Sequence, residues 1–274
     1  MENIYKPFKV KIVKIEEHSK DVKLFRFKKN KRNFVKNKQG LVFIPGQFVL
    51  ISNFGYGEAP FGPASSPDND SYIDILVRRV GILTKSLHQL KQGDEIFMRG
   101  PYGNGFSLDF IKGKDIVMVT GGCGIPPIAS MIEYIVLNRD KFNRVYLIYG
   151  ACAPDDLLMK EKLKIWTKHI KVLLTVDKPT KSWNGCVGMV SELINDIKID
   201  AKDAVALMCG PGPMIEALEK ILRPLGISDR RIFVSMERRM QCGVGKCQHC
   251  ATGDKYVCQD GPVFNFDEID KNWD

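Results

Sequence analysis

The amino-acid sequence predicts a β barrel plus α/β architecture: an antiparallel barrel, then a doubly wound parallel sheet, then a small C-terminal cysteine-rich segment. Three observations predict it. Short stretches of alternating apolar and polar residues fill the first third, the middle alternates apolar strands with helices, and four cysteines gather near the end. We therefore expect three parts, at residues 1–108, 109–234 and 235–274.

The barrel is predicted from period-two alternation and from turn residues. A turn, a strand, a Pro–Gly turn and a second strand are expected within residues 40–52. Residues 55–67, rich in Gly, Pro and Ser, indicate a specialised loop, and residues 81–90 a short helix whose start suits a phosphate. Further strands are expected at residues 8–15, 22–27 and 72–78.

The middle of the chain predicts a sheet covered on both faces, because its strands are continuously apolar. Gly121, Gly122 and Gly124 follow the first of these strands and precede a helix, the arrangement that places a pyrophosphate at a helix N-terminus. Pro127 replaces the last glycine of the usual motif, so a plain tight turn is the alternative. Strands are expected at 115–120, 144–149, 171–176 and 204–209, and later helices near 157–166, 190–197 and 214–225.

Composition and charge limit the classes of protein to which this chain can belong. The apolar run from Ile116 to Leu137 is interrupted by glycines and prolines, which favours buried strand, turn and helix over a membrane span. Eight cysteines without a secretory signal indicate reduced thiols and a cytoplasmic setting. The net charge is +9, but its densest basic block, residues 28–32, lies in no nucleic-acid motif. A solvated loop, or a docking patch for an acidic partner, is expected there instead.

The four terminal cysteines have the spacing C-x4-C-x2-C-x7-C, at Cys242, Cys247, Cys250 and Cys258. The first three match the plant-type run that wraps a 2Fe–2S cluster, with a more distant thiolate closing it. Zinc is the alternative metal, but zinc ribbons usually present two separate C-x2-C pairs. His249 stands between two ligands and is expected to face solvent or a partner, since four cysteines already suffice.

Together with the glycine turns, this segment resembles the ferredoxin–NADP reductase superfamily over nearly the whole chain. The stretch from Met236 to Cys250 is similar to electron-transfer subunits with a C-terminal cluster. These are the hydrogenase (sulfhydrogenase) gamma, anaerobic sulfite reductase B and dihydroorotate dehydrogenase electron-transfer subunits. The resemblance implies FAD in the barrel, NAD(P) on the α/β domain, a 2Fe–2S cluster and partner redox subunits. It implies no nucleic acid and no membrane span.

The resemblance also implies which residues hold FAD. The family's arginine and serine of the flavin loop are replaced here by Ala59 and Gly62, which leaves backbone contacts and stacking by Phe61. Arg78 is expected to supply positive charge to the phosphates. The implied FAD-binding residues are Ala59, Pro60, Phe61, Gly62, Leu76, Val77, Arg78, Leu83 and Thr84.

For NAD(P), the resemblance implies Gly121, Gly122, Gly124, Gly210 and Pro211, with Cys209 as the catalytic-site residue that shapes the approach of the nicotinamide. An ordinary buried cysteine is the alternative for Cys209.

Two further expectations concern charge. Asp155 and Asp156 favour NAD over NADP, because they would repel a 2′-phosphate. Residues 237–239 are hypothesised to bridge flavin and cluster electrostatically, the alternative being a solvated turn.

The function predicted from these residues is an NAD(P)H-dependent electron-transfer oxidoreductase subunit. Electrons would pass between NAD(P)H and a partner redox subunit through FAD and the 2Fe–2S cluster. The alternative is a flavin-poor, non-catalytic iron–sulfur module that wires and docks a multisubunit complex.

Overall fold

A computed structural model describes residues 3–28 and 36–269 of the chain. The expected basic patch around residues 28–32 lies largely outside the described residues. Within those residues, no helix is both long enough and apolar enough to span a membrane. The apolar run that begins at Ile116 is a strand, a glycine turn and a helix, as expected.

The first part is a six-stranded antiparallel barrel with the strand order β4-β3-β6-β1-β2-β5. A bridge between Pro63 and Ile75 brings the end of β4 to β5 and closes the sheet. A short helix, α1 (Ile82–Gln89), lies between β5 and β6. The strands are β1 (Phe8–Glu17), β2 (Val22–Lys28), β3 (Phe48–Asn53), β4 (Gly57–Phe61), β5 (Tyr72–Arg78) and β6 (Glu95–Tyr102).

Two local expectations for the barrel were wrong. The segment at residues 55–67 is not entirely a loop, because it contains β4, which pairs with β3 along its whole length. Only the second strand expected within residues 40–52 forms, as β3; Leu41, Val42 and Phe43 are buried without strand pairing. Tertiary burial of apolar side chains, which period-two patterning cannot distinguish from strand burial, explains the second error.

The second part is a parallel sheet with the order β10-β9-β8-β7-β11-β12, followed by one antiparallel strand. Its strands are β7 (Ile116–Gly121), β8 (Val145–Ala151), β9 (Lys171–Val176), β10 (Cys186–Val187), β11 (Val205–Cys209) and β12 (Ile232–Ser235). Its helices are α2 (Leu108–Ile111), α3 (Ile125–Leu137), α4 (Lys160–Trp166) and α5 (Gly212–Leu222). The helix expected near 190–197 is only a short 3-10 turn, Glu192–Asp196.

Alternate residues of each central strand enter different apolar cores, which is why these strands are apolar throughout. Met118 and Leu207 face the core that includes α3 and α4, whereas Val119 and Met208 face the core that includes α5. Burying both faces is characteristic of a doubly wound sheet. The sheet thereby confirms the predicted α/β class.

The cysteine-rich segment contributes a strand to the sheet of the second part and is not a separate appendage. It contains a hairpin, β13 (Ala251–Thr252) and β14 (Lys255–Tyr256), a short helix α6 (Val257–Asp260), and β15 (Val263–Asn265). Strand β15 pairs antiparallel with β12 and becomes the seventh strand of the sheet. The proposed boundary near residue 235 therefore separates two stretches of sequence that share one sheet.

Candidate functional site

The first candidate site is a groove of about 560 Å³ at the carboxyl edge of the parallel sheet. The strand order reverses between β7 and β11, which is where doubly wound sheets bind ligands. The turns after these two strands face each other there. The groove is lined by all five predicted nucleotide-binding residues, Gly121, Gly122, Gly124, Gly210 and Pro211.

Close packing explains one glycine of this turn. A Cβ on Gly124 would lie 2.4 Å from the carbonyl oxygen of Cys209, so the two turns approach each other only because Gly124 has no side chain. Tyr149 supports the same turn from below. Its buried hydroxyl donates to the carbonyl of Gly122 at 3.1 Å and accepts from the backbone N–H of Leu158.

Cys209 lies behind the wall of the groove. The residue is 2% exposed, and burial raises the pKa of its thiol, with a smaller opposing effect from Ser235. The side chain is therefore a neutral thiol, and no proton transfer or nucleophilic attack follows from its position. Its role in shaping the nicotinamide approach stays a prediction.

Several groove residues were missed from sequence. The segment from Gly188 to Ser191 and the carboxylate of Asp177 also line the groove. Gly150 lets this segment approach β8, since a Cβ there would lie 2.5 Å from Val190 Cγ1. The Gly-Met-Val sequence after the short strand β10 was a sequence signal for this loop. Its contact with β8 could not be predicted, because that contact depends on the fold.

The barrel reaches the groove through Arg78 at the end of β5. Its Nε donates to Asp21 Oδ2 at 2.7 Å, and that bond is the main cause of the raised pKa of Arg78. The side chain remains about half exposed and lines the groove together with the glycine turn. Leu76 and Val77, the other residues expected beneath the flavin, are buried in the barrel wall.

The expected flavin strand runs along one edge of the barrel. Ala59, Pro60 and Phe61 belong to β4 and are half-buried, with Phe61 packed partly on the barrel core. A Cβ on Gly62 would lie 3.6 Å from Pro127, so the end of β4 meets the start of α3. The structure thus brings the expected FAD strand beside the nucleotide turn.

At the start of α1, the side chain that was predicted to contact a phosphate is already hydrogen-bonded within the protein. Leu83 and Thr84 are buried, and the hydroxyl of Thr84 accepts from the backbone N–H groups of Val80 and Gly81 at 2.9 and 2.8 Å. That hydroxyl therefore caps its own helix. Any diphosphate held there would be bound by backbone N–H groups of the first turn and by the charge of Arg78, a set of donors that fits FAD without a side-chain clamp.

The second candidate site is the cysteine loop, and its four thiols come together as two pairs. Cys242 interacts with Cys247, and Cys250 interacts with Cys258. Cys258 also lies close enough to Cys242 for the two thiols to interact electrostatically. Cys250 and Cys258 are buried, whereas Cys247 is exposed. Among residues 3–28 and 36–269, no three or more His, Cys, Asp or Glu side chains converge as the ligands of a single metal ion.

Backbone N–H groups point at these sulfurs. Cys242 Sγ accepts from the N–H groups of Val244, Lys246 and Cys247 at 3.5, 3.2 and 3.4 Å, and Gly245 donates to Cys258 Sγ at 3.1 Å. Burial raises the pKa of Cys242, but the N–H groups of Val244, Lys246 and Cys247, with the Cys247 thiol, outweigh it and lower that pKa to about 6. Burial and the neighbouring Cys250 instead raise the pKa of Cys258 to about 12, so a bound metal is needed to hold it as a thiolate. Thiolates within a cradle of N–H donors are the ligand set of iron–sulfur clusters. The predicted ligands therefore fit such a cluster.

The barrel holds the cysteine segment at both ends. At its start, Arg99 Nη1 donates to the carbonyl of Cys242 at 2.7 Å. At its end, the Asn104 side chain donates to the carbonyls of Asp260 and Val263 at 2.9 and 2.7 Å. Neither residue was singled out from sequence, because each bond spans more than 140 residues.

Glu237 connects the two sites along the chain. Its carboxylate lines the groove, where the surrounding protein raises its pKa although the residue as a whole remains accessible to solvent. The chain then passes through the buried Met240 and reaches Cys242. Glu237 is therefore part of the groove lining and precedes the first cysteine on the same segment of chain.

Comparisons with known proteins agree with this division. Residues 9–106 match the oxidoreductase FAD-binding domain family, and residues 118–220 match the oxidoreductase NAD-binding domain family. Residues 237–270 match the iron–sulfur cluster binding domain of dihydroorotate dehydrogenase B.

Relatives match along almost the whole chain. Sulfhydrogenase 2 subunit gamma of Pyrococcus furiosus is 35% identical, with 96% of each chain covered. A probable dihydroorotate dehydrogenase B electron transfer subunit of Thermococcus kodakarensis is also 35% identical, with 94% and 97% covered. A solved NADH-dependent reduced ferredoxin-NADP oxidoreductase is similar with a TM-score of 0.77 at 26% identity, covering 96% of this chain and 90% of that one. The chain therefore belongs to the ferredoxin reductase-like family of oxidoreductase electron-transfer subunits, which join FAD-binding, NAD-binding and iron–sulfur cluster-binding domains.

Proposed function

We propose that this chain passes electrons between NAD(P)H and a partner redox subunit through FAD and a 2Fe–2S cluster. One observation carries the proposal: the groove at the switch point is bounded by Arg78 of the barrel and by Glu237, which follows β12 on the segment that leads into the cysteine loop. The residues expected to hold the nucleotide thus lie beside the end of the expected flavin strand and beside the segment that leads to the cysteines, which supports an electron path among the three cofactors.

The protein's own contribution is positioning. When bound, FAD supplies the exchange between a hydride and single electrons, and the cluster supplies a one-electron outlet. Gly121, Gly122 and Gly124 provide a turn in which Cys123 carries the single side chain, so backbone N–H groups can hold a pyrophosphate there. Arg78 adds positive charge at the junction of the two nucleotide sites, and Cys209 acts as a neutral spacer beneath the nicotinamide.

A two-iron cluster is the type that the cysteine geometry supports best. Each iron of a 2Fe–2S cluster takes two protein ligands, and the loop offers two pairs of thiols rather than one tetrahedral set. Zinc, the alternative from sequence, is disfavoured by the continuous C-x4-C-x2-C spacing, because zinc ribbons usually present two separate C-x2-C pairs. The N–H groups directed at the sulfurs suit metal-bound thiolates in general.

NAD is preferred over NADP in this proposal, but for a different reason from the one the sequence suggested. Asp155 is almost fully exposed beside Lys160, and neither it nor Asp156 is among the described residues that line the groove. Asp177 does line it, and Arg78 is the one basic residue in that lining. Because Arg78 is already paired with Asp21, the described groove offers little to attract a 2′-phosphate.

The tip of the cysteine loop is exposed to solvent. Lys246, Cys247 and His249 are exposed at the tip of the cysteine loop, so a partner subunit in the same cytoplasmic compartment has access to the cluster. The hypothesis that residues 237–239 bridge flavin and cluster is retained for Glu237. Glu237→Ala is expected to slow electron transfer from flavin to cluster, and an unchanged rate removes the hypothesis.

Purifying the chain without oxygen and recording its absorption spectrum tests the proposal. Flavin bands together with cluster absorption that bleaches on adding NADH support it. A cluster spectrum without flavin supports instead the non-catalytic iron–sulfur module. The structural argument for that alternative is that the Thr84 hydroxyl accepts a bond from Val80 of its own chain instead of contacting a flavin phosphate. A colourless protein that contains zinc contradicts both functions.

A further inference from the structure

A buried arginine lies between the expected flavin strand and the cysteine loop. Arg99 is on β6, and only 9% of its side chain is exposed. Its guanidinium forms an ion pair with Glu58, where Nε lies 3.1 and 3.0 Å from the two carboxylate oxygens. Glu58 immediately precedes Ala59 on β4. One end of the pair is therefore fixed to the strand that is expected to hold FAD.

The other side of the same guanidinium reaches the first cluster ligand. Arg99 Nη1 donates to the carbonyl of Cys242 at 2.7 Å, and Nη2 donates to the carbonyl of Gln241 at 3.1 Å. Arg99 also lies over the ring of Tyr102, at 5.6 Å from its centroid. The N–H edges of the guanidinium are thus bonded to Glu58 and to two carbonyls, and one face lies against Tyr102.

This arrangement depends on the shape of the arginine fork. A planar guanidinium donates in several fixed directions at once, whereas an ammonium is a compact point charge on a flexible stem. Burying a charge is unfavourable unless it is paired and hydrogen-bonded, and here Glu58 and the two carbonyls satisfy both conditions. A lysine at position 99 would keep the charge without holding these three groups together.

We propose that Arg99 and Glu58 are positioning residues that fix Cys242 relative to the flavin strand and thereby set both the distance of electron transfer and the electrostatic environment of the cluster. The proposal rests on the proposed electron path from FAD to the cluster. Arg99 acts through the backbone carbonyls of Gln241 and Cys242, and Glu58 acts through Arg99.

The two charges are expected to move the cluster potential in opposite directions. Reduction adds an electron, so a nearby positive charge stabilises the reduced form and a negative charge destabilises it. Arg99→Gln should therefore lower the reduction potential and Glu58→Gln should raise it. We expect about a tenfold change in the ratio of reduced to oxidised cluster at a fixed solution potential, which corresponds to about 59 mV for one electron. General loosening of the barrel would not give opposite signs.

The test uses the full chain with its cluster assembled, each variant first being checked for its ratio of iron to protein. Redox titration gives the potential, and the EPR spectrum of the dithionite-reduced protein reports the surroundings of the cluster. Stopped-flow mixing with NADH gives the rate of electron transfer from flavin to cluster. Arg99→Lys should leave the potential near that of the unchanged protein but slow the transfer about tenfold, because the charge remains while the fork is lost.

Arg26 provides a matched control. It forms a two-bond ion pair with Asp74, Nε to Oδ1 at 2.7 Å and Nη2 to Oδ2 at 2.8 Å, with 25% and 6% of the two side chains exposed. This pair joins β2 and β5 of the same barrel without a described contact to the cysteine loop. Arg26→Gln should reduce barrel stability but leave the EPR spectrum and the potential unchanged.

The outcomes separate this proposal from the proposed function. An Arg99→Gln variant with unchanged potential and EPR spectrum overturns the positioning role, as does an Arg26→Gln variant that shows the same changes. Shifts of the same sign in Arg99→Gln and Glu58→Gln also overturn it. If the unchanged protein carries no flavin, the proposed electron path fails, while the dithionite measurements still decide whether the ion pair acts on the cluster.

Discussion

The barrel contacts its two neighbours in different ways. Its contact with the cysteine segment, here called the barrel–cluster contact, consists of the bonds of Arg99 and Asn104 and the close packing of Gly103 on Pro262. Its contact with the α/β domain, the barrel–nucleotide contact, has His18 Nδ1 accepting from the backbone N–H of Met159 at 2.9 Å, and Gly62 near Pro127.

The two contacts differ in the number of polar bonds that they contain. The barrel–cluster contact combines several bonds, including a charge-assisted one from Arg99, and no single substitution removes them all. The described polar link of the barrel–nucleotide contact depends on the neutral form of one imidazole. Val22, Leu24 and Leu76 of the barrel also share one apolar core with α3. We infer that polar bonds hold the separation of flavin and cluster, whereas apolar packing and a single described polar link hold the nucleotide domain.

The largest effect is expected for Gly103→Ala in the barrel–cluster contact. Gly103 has a φ of +79°, and an added Cβ would lie 2.5 Å from Pro262 Cδ and 2.6 Å from the carbonyl oxygen of Gly261. Left-handed strain and overpacking together should lower the free energy of unfolding by about 3 kcal/mol, as measured by urea denaturation.

The control for this variant is Gly40→Ala. Gly40 has a φ of +76° but no atom within 4 Å of an added Cβ. Gly40→Ala should lower the free energy of unfolding only by the strain of the left-handed backbone, about 1 kcal/mol. Equal losses in the two variants would mean that the packing of Gly103 on the cysteine segment contributes nothing.

The next effect is expected for His18→Leu in the barrel–nucleotide contact. Leucine cannot accept the N–H of Met159, a buried residue, and leaving that donor unsatisfied should cost about 2 kcal/mol. His169→Leu, on an exposed turn, is the control and should change the unfolding free energy by less than about 0.5 kcal/mol. A loss no larger than that of the control contradicts the importance of this bond.

The same histidine predicts a pH dependence. Burial lowers the pKa of His18 below its ordinary value of 6.5, although Glu16 and Asp74 oppose this and Lys14 adds to it. The folded state thus binds fewer protons than the unfolded state, so stability is highest above pH 6.5 and declines as the pH falls through the interval between the two pKa values.

Urea unfolding at about pH 7.5 and about pH 5.5 measures this decline. His18→Leu should reduce it without abolishing it, because burial also lowers the pKa of His88. An unchanged decline in the variant would show that protonation of His18 is not involved.

A smaller effect is expected for Asn104→Ala. The variant loses two donated bonds and the bond accepted from the N–H of Val263 at 3.2 Å, but Asn104 is exposed and water replaces part of them. We expect the free energy of unfolding to fall by about 1 kcal/mol, and iron to be released faster when a chelator is added. Asn143→Ala, which removes an exposed side-chain bond to Gly113, should release iron at the unchanged rate.

The smallest effect is expected for Gly62→Ala. Its nearest neighbour would be Pro127 Cδ at 3.6 Å, an ordinary van der Waals distance, so the unfolding free energy should change by less than about 0.5 kcal/mol. A loss comparable to that of Gly103→Ala would show that the two contacts are equally tight, and the comparison between them would then be wrong.

Much of this architecture was predictable because its signals are local. Apolar strands that alternate with helices indicated a sheet buried on both faces, and β7, β9 and β11 form within one residue of their expected positions. The three nucleotide-turn glycines lie where the strand, turn and helix pattern placed them. The cysteine spacing brought together two pairs of thiols with N–H groups directed at their sulfurs.

Other features depended on partners distant in sequence. Glu58 and Arg99 are 41 residues apart, and Arg99 and Cys242 are 143 residues apart, so no periodicity or spacing could reveal that one guanidinium joins them. The exposed position of Asp155 beside Lys160, outside the described groove lining, was not predictable for the same reason, and the effect of Asp155 and Asp156 on a 2′-phosphate stays a prediction. Strand β15 is too short for a pattern and forms only because β12 presents an open edge.

The amino-acid sequence by itself determined the order of the three parts, the glycine turn proposed for the nucleotide and the four cysteines proposed as cluster ligands. Those features arise from residue types at fixed spacings along a short stretch of chain, where strand periodicity, glycine conformation and thiol chemistry act locally. Only the tertiary structure decided that the thiol of Cys209 is buried and neutral, that Glu237 lines the groove, and that Arg99 ties Cys242 to the barrel. Burial and pairing of charges are properties of segments that meet after folding, and their energies therefore depend on the assembled structure.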